Sequence, residues 1–240
     1  MDSVWGVRVS GIYSPDGNGV EEFLESQRAG IDDAQGTDAD TLTFPKDRPE
    51  VAIIVARGRK LPVQWATRPD GSFIVIDGEI YNWRELLSSP VGGATHPQAD
   101  PGWLLDQYLA RGSMILSQID GAAVVTVWDA HNRRLSVTRD RSGIVPVFFA
   151  DRSGNVVWSS HISRLKTAGI DQEINLPALD YFLGAHYIPS PWTFVEGIEK
   201  IPPAHTITWD GQGEARLERY WLPAGRPKFE GAIEAQVDAM

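Results

Sequence analysis

Apolar positions along the chain fall into two periods. Over residues 4–13, Val-Trp-Gly-Val-Arg-Val-Ser-Gly-Ile-Tyr, apolar residues alternate with small or polar ones, the period of a half-buried strand. The same reading gives strands at 51–56 and 61–66, separated by the basic turn Arg57-Gly58-Arg59-Lys60. Four further strands are expected at 122–129, 133–140, 145–150 and 155–159, joined by short polar turns into one antiparallel meander. A last hairpin is expected from 204–209 and 215–221, around Asp210-Gly211-Gln212-Gly213. Helical spacing appears at 20–28, 82–88, 102–111, 161–168, 176–183 and 230–240. Gly112 is placed to end the 102–111 helix, and Asn175 with Pro177 to begin the 176–183 helix. The acidic, small-residue stretch 31–41 reads as an exposed loop. Many hairpin-connected strands with several separate helices indicate an α+β layered fold.

The chain is organised around residues 73–87. Phe73-Ile74-Val75-Ile76 reads as a buried strand that runs into Asp77-Gly78-Glu79, and a helix follows from about Asn82. Asn82 is suited to cap that helix, with Glu85 three residues on as its capping-box partner. Strand ends aim polar groups from a rigid element, so Asp77 and Glu79 are candidate site residues. The same residues would also make a plain strand-to-helix corner.

Composition narrows the chemistry. The formal net charge of −10 argues against non-specific binding to nucleic acid or anionic membranes. No apolar run reaches the length of a membrane span and no secretory leader is evident, so a cytoplasmic setting is expected. There is no cysteine among the 240 residues. That removes disulfides, thiolate metal ligands and cysteine nucleophiles together. The five histidines are scattered without ligand spacing, so no metal site is expected.

Asp77-Gly78-Glu79-Ile80-Tyr81-Asn82 resembles the Asn-Gly-Glu-Ile-Tyr-Asn motif of the class II glutamine amidotransferase domain at the front of asparagine synthetases. The similarity continues through Gly121, Trp128, Asp129, Leu135, Arg139, Asp140, Gly143 and Pro146. It extends through Tyr187-Ile188-Pro189-Ser190-Pro191 and Ile198-Glu199-Lys200-Ile201-Pro202-Pro203, and reaches Arg219-Tyr220-Trp221. It spans roughly residues 7–222, and the order of the blocks is far more specific than any one of them. The resemblance implies an Ntn-hydrolase-like four-layer αββα sandwich of two antiparallel sheets. For Arg139 and Asp140, a structural ion pair setting a turn between strands, with Gly143, is favoured over a catalytic role.

In that family, glutamine hydrolysis uses a Cys at the mature N-terminus, whose own amine serves as base. Alignment of Ser10-Gly11-Ile12 places the nucleophile position at Val7, which carries no nucleophilic atom and has six residues before it. Ser3 or Ser10, exposed by cleavage, would be the remaining candidates, with no partner base evident. The family's oxyanion-hole Asn is Asp77 here, an acceptor when ionised and so repulsive to a developing negative charge. Of the implied glutamine contacts, Gly78, Glu79 and Asp100 are retained, Arg59 or Arg57 can stand for the carboxylate clamp, and Gly102 replaces a Glu. The resemblance therefore implies no catalytic residues and a vestigial pocket.

Residues 1–222 are expected to form the degenerate amidotransferase-like domain. Residues 223–240 are expected to be a linker and first helix towards an ATP-dependent synthetase domain that lies outside this sequence, in cis or as a separate subunit. ATP and Mg²⁺ are expected for that domain and no cofactor for this chain. A homodimer is a further arrangement compatible with the sequence. Relatives without the Cys include β-lactam synthetases and lasso-peptide cyclases, where the substrate supplies its own amine. The alternative is a stand-alone, non-catalytic domain that binds an amino acid or a separate synthetase subunit.

Overall fold

The computed structural model describes residues 9–32, 39–44, 50–56, 63–88, 99–152, 154–167, 170, 173–211 and 215–223. Twelve strands form two six-stranded sheets. The first sheet takes β1 (Val9–Tyr13), β2 (Ala39–Phe44), β3 (Val51–Ala56), β8 (Phe148–Arg152), β9 (Asn155–Ser159) and β10 (Glu199–Lys200), in the order β10-β8-β9-β1-β3-β2. The second takes β4 (Val63–Thr67), β5 (Phe73–Ile80), β6 (Gly121–Asp129), β7 (Arg134–Arg139), β11 (His205–Trp209) and β12 (Arg216–Arg219), in the order β12-β11-β7-β6-β5-β4. Every pairing between these strands is antiparallel.

Period-two alternation sends each strand's side chains to opposite faces, and three apolar layers result. Val9, Tyr13, Ile53, Val75, Val124, Val137, Trp158 and Ile207 fill the space between the sheets. On the outer face of the first sheet, Ile12, Ile54 and Val157 pack with Phe23 and Leu24 of α1 (Val20–Asp32) and Leu165 of α4 (Ile162–Thr167). Behind the second sheet, Ile74, Ile76 and Val125 pack with Trp83 and Leu86 of α2 (Trp83–Ser88) and Leu104 and Leu105 of α3 (Pro101–Arg111). The layers are helix, sheet, sheet, helix, the sandwich the resemblance implies. A fifth helix, α5 (Leu176–Ala185), lies apart from these layers with only Ala178 buried.

Four expectations differ from the structure. Of the stretch 31–41 expected as loop, residues 31–32 end α1 and residues 39–41 open β2, which pairs with β3 in register Ala39↔Ala56 to Phe44↔Val51, while 33–38 lie outside the described residues. Alternation in Thr41-Leu42-Thr43-Phe44 was masked by the acidic residues before it. A seven-residue 3-10 segment, Gly112–Gln118, follows α3 directly. The strand expected at 145–150 begins only at Phe148, because side chains bind the Val145 backbone in a turn. Nor do residues 122–159 form a single meander, since β6 and β7 belong to the second sheet and β8 and β9 to the first. The helix expected at 230–240 lies outside the described residues.

Candidate functional site

The register of β5 sets the site. Asp77 lies opposite Val63 on β4 and Val124 on β6, both of which pack between the sheets. Opposite residues share a face, so the Asp77 carboxyl also enters the inter-sheet space, where it is 2% exposed. Glu79, two residues on and opposite Ala122, shares that face but is exposed where the sandwich opens. Gly78 between them has φ +129°, and a Cβ there would lie 2.1 Å from the Ala122 carbonyl oxygen. Gly121 meets the same constraint from the other strand, with Glu79 O at 2.4 Å from a built Cβ. Only glycine allows the two backbones to come this close.

The two sheets are aligned so that β1 opens at this end. Tyr13 closes β1 and stacks at 5.5 Å on Trp128, which pairs with Phe73 at the other end of β5. The start of β1 at Val9 therefore shares an end of the sandwich with Asp77-Gly78-Glu79. Val7, Ser3, Arg57 and Arg59 lie outside the described residues. Ser10 is buried, and its hydroxyl is hydrogen-bonded to that of Ser159 at 2.9 Å. The Gly of Ser10-Gly11-Ile12 has a packing cause, since a Cβ on Gly11 would stand 2.2 Å from the Trp158 ring.

Two residues have local tasks that the sequence did not reveal. Asn82 precedes α2, but its side chain reaches across to the 3-10 segment and β6. Its Nδ2 donates to Gln118 O (2.9 Å) and its Oδ1 accepts from Asp120 N (2.9 Å), while Tyr81 N donates to Asp120 O. The expected capping of α2 by this side chain is thus replaced by a clamp that holds the end of β5 to the start of β6. Asp100 caps α3, with Oδ1 accepting from Trp103 N at 2.9 Å. Arg68, just past the far end of β4, donates to Gly102 O and pairs with Asp106 beside it.

Arg139, Asp140 and Gly143 build the crossing from the second sheet to the first. The buried Arg139 guanidinium donates to the carbonyls of Gly143 (2.6 Å), Val145 (3.0 Å) and Ile201 (2.7 Å). Asp140 accepts from the N–H groups of Ser142 (3.1 Å), Ile144 (2.9 Å) and Val145 (3.0 Å). The turn is set by these backbone bonds, and not by the expected ion pair between the two side chains. Burial lowers the Arg139 pKa, and the neighbouring Asp140 opposes that shift. Gly143 has φ +66°, and a Cβ there would lie 2.7 Å from Pro203 Cγ. Tyr220 completes the corner by donating its hydroxyl to Arg139 O at 3.0 Å. Burial, with Asp140 nearby, pushes its pKa up to about 12.

Two cavities lie on the outer face of the second sheet. One of ≈ 20 Å³ is lined by residues including Leu116, Gly121, Thr138 and Tyr220. The other, of ≈ 260 Å³, is lined by residues including Tyr108, Arg134, Ser136 and Thr208. Neither is lined by Asp77, Gly78 or Glu79. Among the described residues, no group of three or more His, Cys, Asp or Glu is placed to hold a metal ion.

Comparison with known proteins agrees with this arrangement. Residues 16–221 match the family model described as a glutamine amidotransferase domain. The chain belongs to that family. Among its relatives, a Mycobacterium tuberculosis protein provisionally named as a glutamine-hydrolysing asparagine synthetase is 30% identical over 149 residues, 58% of this chain and 23% of that protein. Glutamine-hydrolysing asparagine synthetase 3 of Bacillus subtilis is 23% identical over 223 residues, 85% of this chain and 36% of that protein. The amidotransferase domain thus spans about a quarter to a third of the length of these relatives. Among solved structures, the glutamine phosphoribosylpyrophosphate amidotransferase of Bacillus subtilis superposes with a TM-score of 0.56 at 13% identity, covering 91% of this chain and 50% of that one. At that identity the likeness concerns the fold. No helix among the described residues is long and apolar enough to cross a membrane.

Proposed function

We propose that this amidotransferase domain is the non-hydrolytic N-terminal part of an asparagine-synthetase-type enzyme that forms amide bonds with ATP. One observation carries the reading: a chain that matches the family over residues 16–221 contains no cysteine. Without a thiolate the family's attack on the glutamine amide is lost. Asp77 supports the same reading. It occupies the position of the family's oxyanion-hole Asn and offers carboxylate oxygens where a donor is needed. With glutamine hydrolysis lost, the amine comes from the substrate itself, as in the β-lactam synthetase and lasso-peptide cyclase types. ATP and Mg²⁺ belong to the synthetase domain. The Ser-Gly-Gly-x-Asp-Ser loop that would bind the nucleotide does not occur in these 240 residues, and the described residues offer no metal-holding cluster. The setting is cytoplasmic on this reading.

The test has two arms. Metal-free protein incubated with L-glutamine should release glutamate only at the rate of buffer, measured by coupled glutamate oxidation. Release above that rate overturns the loss of hydrolysis. The second arm is ATP–pyrophosphate exchange by the synthetase polypeptide that accompanies this domain, with carboxylate substrate and neither glutamine nor ammonia. Failure of exchange with any carboxylate, together with stoichiometric glutamine uptake by the domain alone, would make it an amino-acid-binding module instead.

A further inference from the structure

The second sheet, the first sheet and four helices bury their apolar faces against one another, but α5 does not. Of its ten residues, Leu-Pro-Ala-Leu-Asp-Tyr-Phe-Leu-Gly-Ala, only Ala178 is buried. Large apolar side chains that stay exposed concentrate here: Ile174, Leu176, Tyr181, Leu183, Tyr187, Trp192 and Phe194. These seven fall within 21 residues, whereas the five others among the described residues (Tyr81, Met114, Ile144, Leu217 and Leu222) are scattered over the fold. A helix apolar on most sides is one that another surface covers.

The face is also rigid. Asn175 caps α5 through Ala178 N, and the left-handed His186 closes it with its N–H on Phe182 O. Tyr181 stacks edge-on against both Tyr187 (5.6 Å) and Trp192 (6.2 Å), and Phe182 against Phe194 (5.1 Å). Its base is anchored where Asn175 N bonds Phe194 O and Lys200 N bonds Pro191 O. Ordered aromatic side chains of this kind carry most of the energy of interfaces, because they lose little freedom on binding.

We propose that this aromatic face, α5 with the loop through Phe194, is where the ATP-dependent synthetase domain seats. The inference rests on the function proposed above and names the surface through which that enzyme is held together. Three observations favour this occupant. First, the chain spans only 23% to 36% of its two relatives, so their remaining length includes enough polypeptide for a second domain. Second, the last described residues, 220–223, lie close by. Tyr220 N bonds Ala204 O, and Ala204 is four residues from Lys200, which is bonded to Pro191 beside Trp192. Four residues span at most about 14 Å. Third, the rim is acidic, with Glu173, Asp180, Glu196 and Glu199 all exposed. A second copy of the chain would bring like charges together around the aromatic centre, which disfavours self-association. The partner surface is therefore apolar at its centre and basic at its edge.

The experiment compares hydrogen exchange of the 240-residue protein alone and with the accompanying synthetase polypeptide. Light scattering is run on the same samples, for the wild type, a Tyr181→Glu/Trp192→Glu variant and an Asp180→Lys/Glu196→Lys variant. All four positions are exposed, and unchanged circular dichroism verifies folding. The expected result is a monomer alone and at least tenfold slower exchange of amides in 174–194 with the partner. The aromatic variant should bind at least tenfold more weakly, and the charge variant should lose part of the salt-sensitive affinity. Binding without protection at 174–194, or unaffected by the aromatic variant, overturns this surface and leaves the proposed function standing. A dimer of the protein alone that the aromatic variant dissolves overturns the occupant. If no synthetase polypeptide accompanies the domain in frame or beside it, the proposed function and this inference fall together.

Discussion

Replacing Asp140 by Ala removes the acceptor for three backbone N–H groups at once, those of Ser142, Ile144 and Val145. The three do not contribute equally. Ser142 and Ile144 are exposed, so water can take over their N–H groups with modest loss. Val145 is 2% exposed, and its N–H has no solvent to turn to. A hydrogen bond to a charged group contributes about 1.5–3 kcal/mol, and a buried donor left unsatisfied costs about 1–3 kcal/mol. Asp140→Ala should therefore destabilise by about 3–5 kcal/mol. Asp140→Asn keeps an oxygen for the Ser142 and Ile144 pair but sets an amide N–H₂ against Val145 N–H, for a loss of about 2 kcal/mol. The assay is urea unfolding followed by tryptophan fluorescence. With a slope of about 2–3 kcal/mol per M, the midpoint of Asp140→Ala should fall by about 1–2.5 M at unchanged slope. A midpoint within about 0.2 M of wild type would refute the argument that this carboxylate holds the crossing between sheets.

Further outcomes follow from the same contacts. Gly78→Ala should destabilise by about 3 kcal/mol or prevent folding, since it combines a positive φ with a Cβ 2.1 Å from Ala122 O; thermal unfolding reads the loss. Asn82→Ala should cost about 1–3 kcal/mol by releasing Gln118 O and Asp120 N, with faster hydrogen exchange confined to residues 79–82 and 118–121. Tyr220→Phe should cost about 1 kcal/mol at neutral pH by removing the bond to Arg139 O. Because folding holds the Tyr220 phenol at about 12, above its unfolded value near 10, the folded state binds the extra proton between these values. The stability of wild type relative to Tyr220→Phe should then be constant below pH 10 and shrink from pH 10 to pH 12. A difference that stays flat to pH 12 would contradict the half-buried phenol.

Several strands were legible in the sequence as short, nearly continuous apolar runs, because both faces of each meet a core. The runs at 73–76, 122–129 and 155–159 are examples, and the family blocks placed them in a sandwich. What escaped was set by long-range side-chain bonds. Nothing local in Val145-Pro146-Val147 says that its backbone is held by Arg139 and Asp140 and so kept out of β8. The assignment of β6–β7 and β8–β9 to different sheets follows from that turn, so a meander was the natural reading of the pattern. At the candidate site, Asp77 and Glu79 were found from strand position and resemblance, and the register then put both on the inter-sheet face. Asn82 and Asp100 show the limit of the motif, since their side chains are engaged with Gln118, Asp120 and Trp103 in ways only the fold reveals.

The allocation of strands has a consequence for the order of assembly. Strands β4 to β7 come from one continuous stretch, residues 63–139, so the centre of the second sheet can zip from neighbouring hairpins. The first sheet cannot. Its halves, residues 9–56 and 148–200, meet only along β1 and β9, where Tyr13 pairs with Val156 and Ser10 with Ser159. Closing that seam encloses more than half of the chain in one loop, and such non-local pairings slow the search for the native state. On the ribosome, β1 must wait until β9 has emerged, its free edge exposed throughout synthesis of β4 to β7. The slow step in refolding should be formation of this seam, and a chaperone that shields strand edges should act on this half of the molecule.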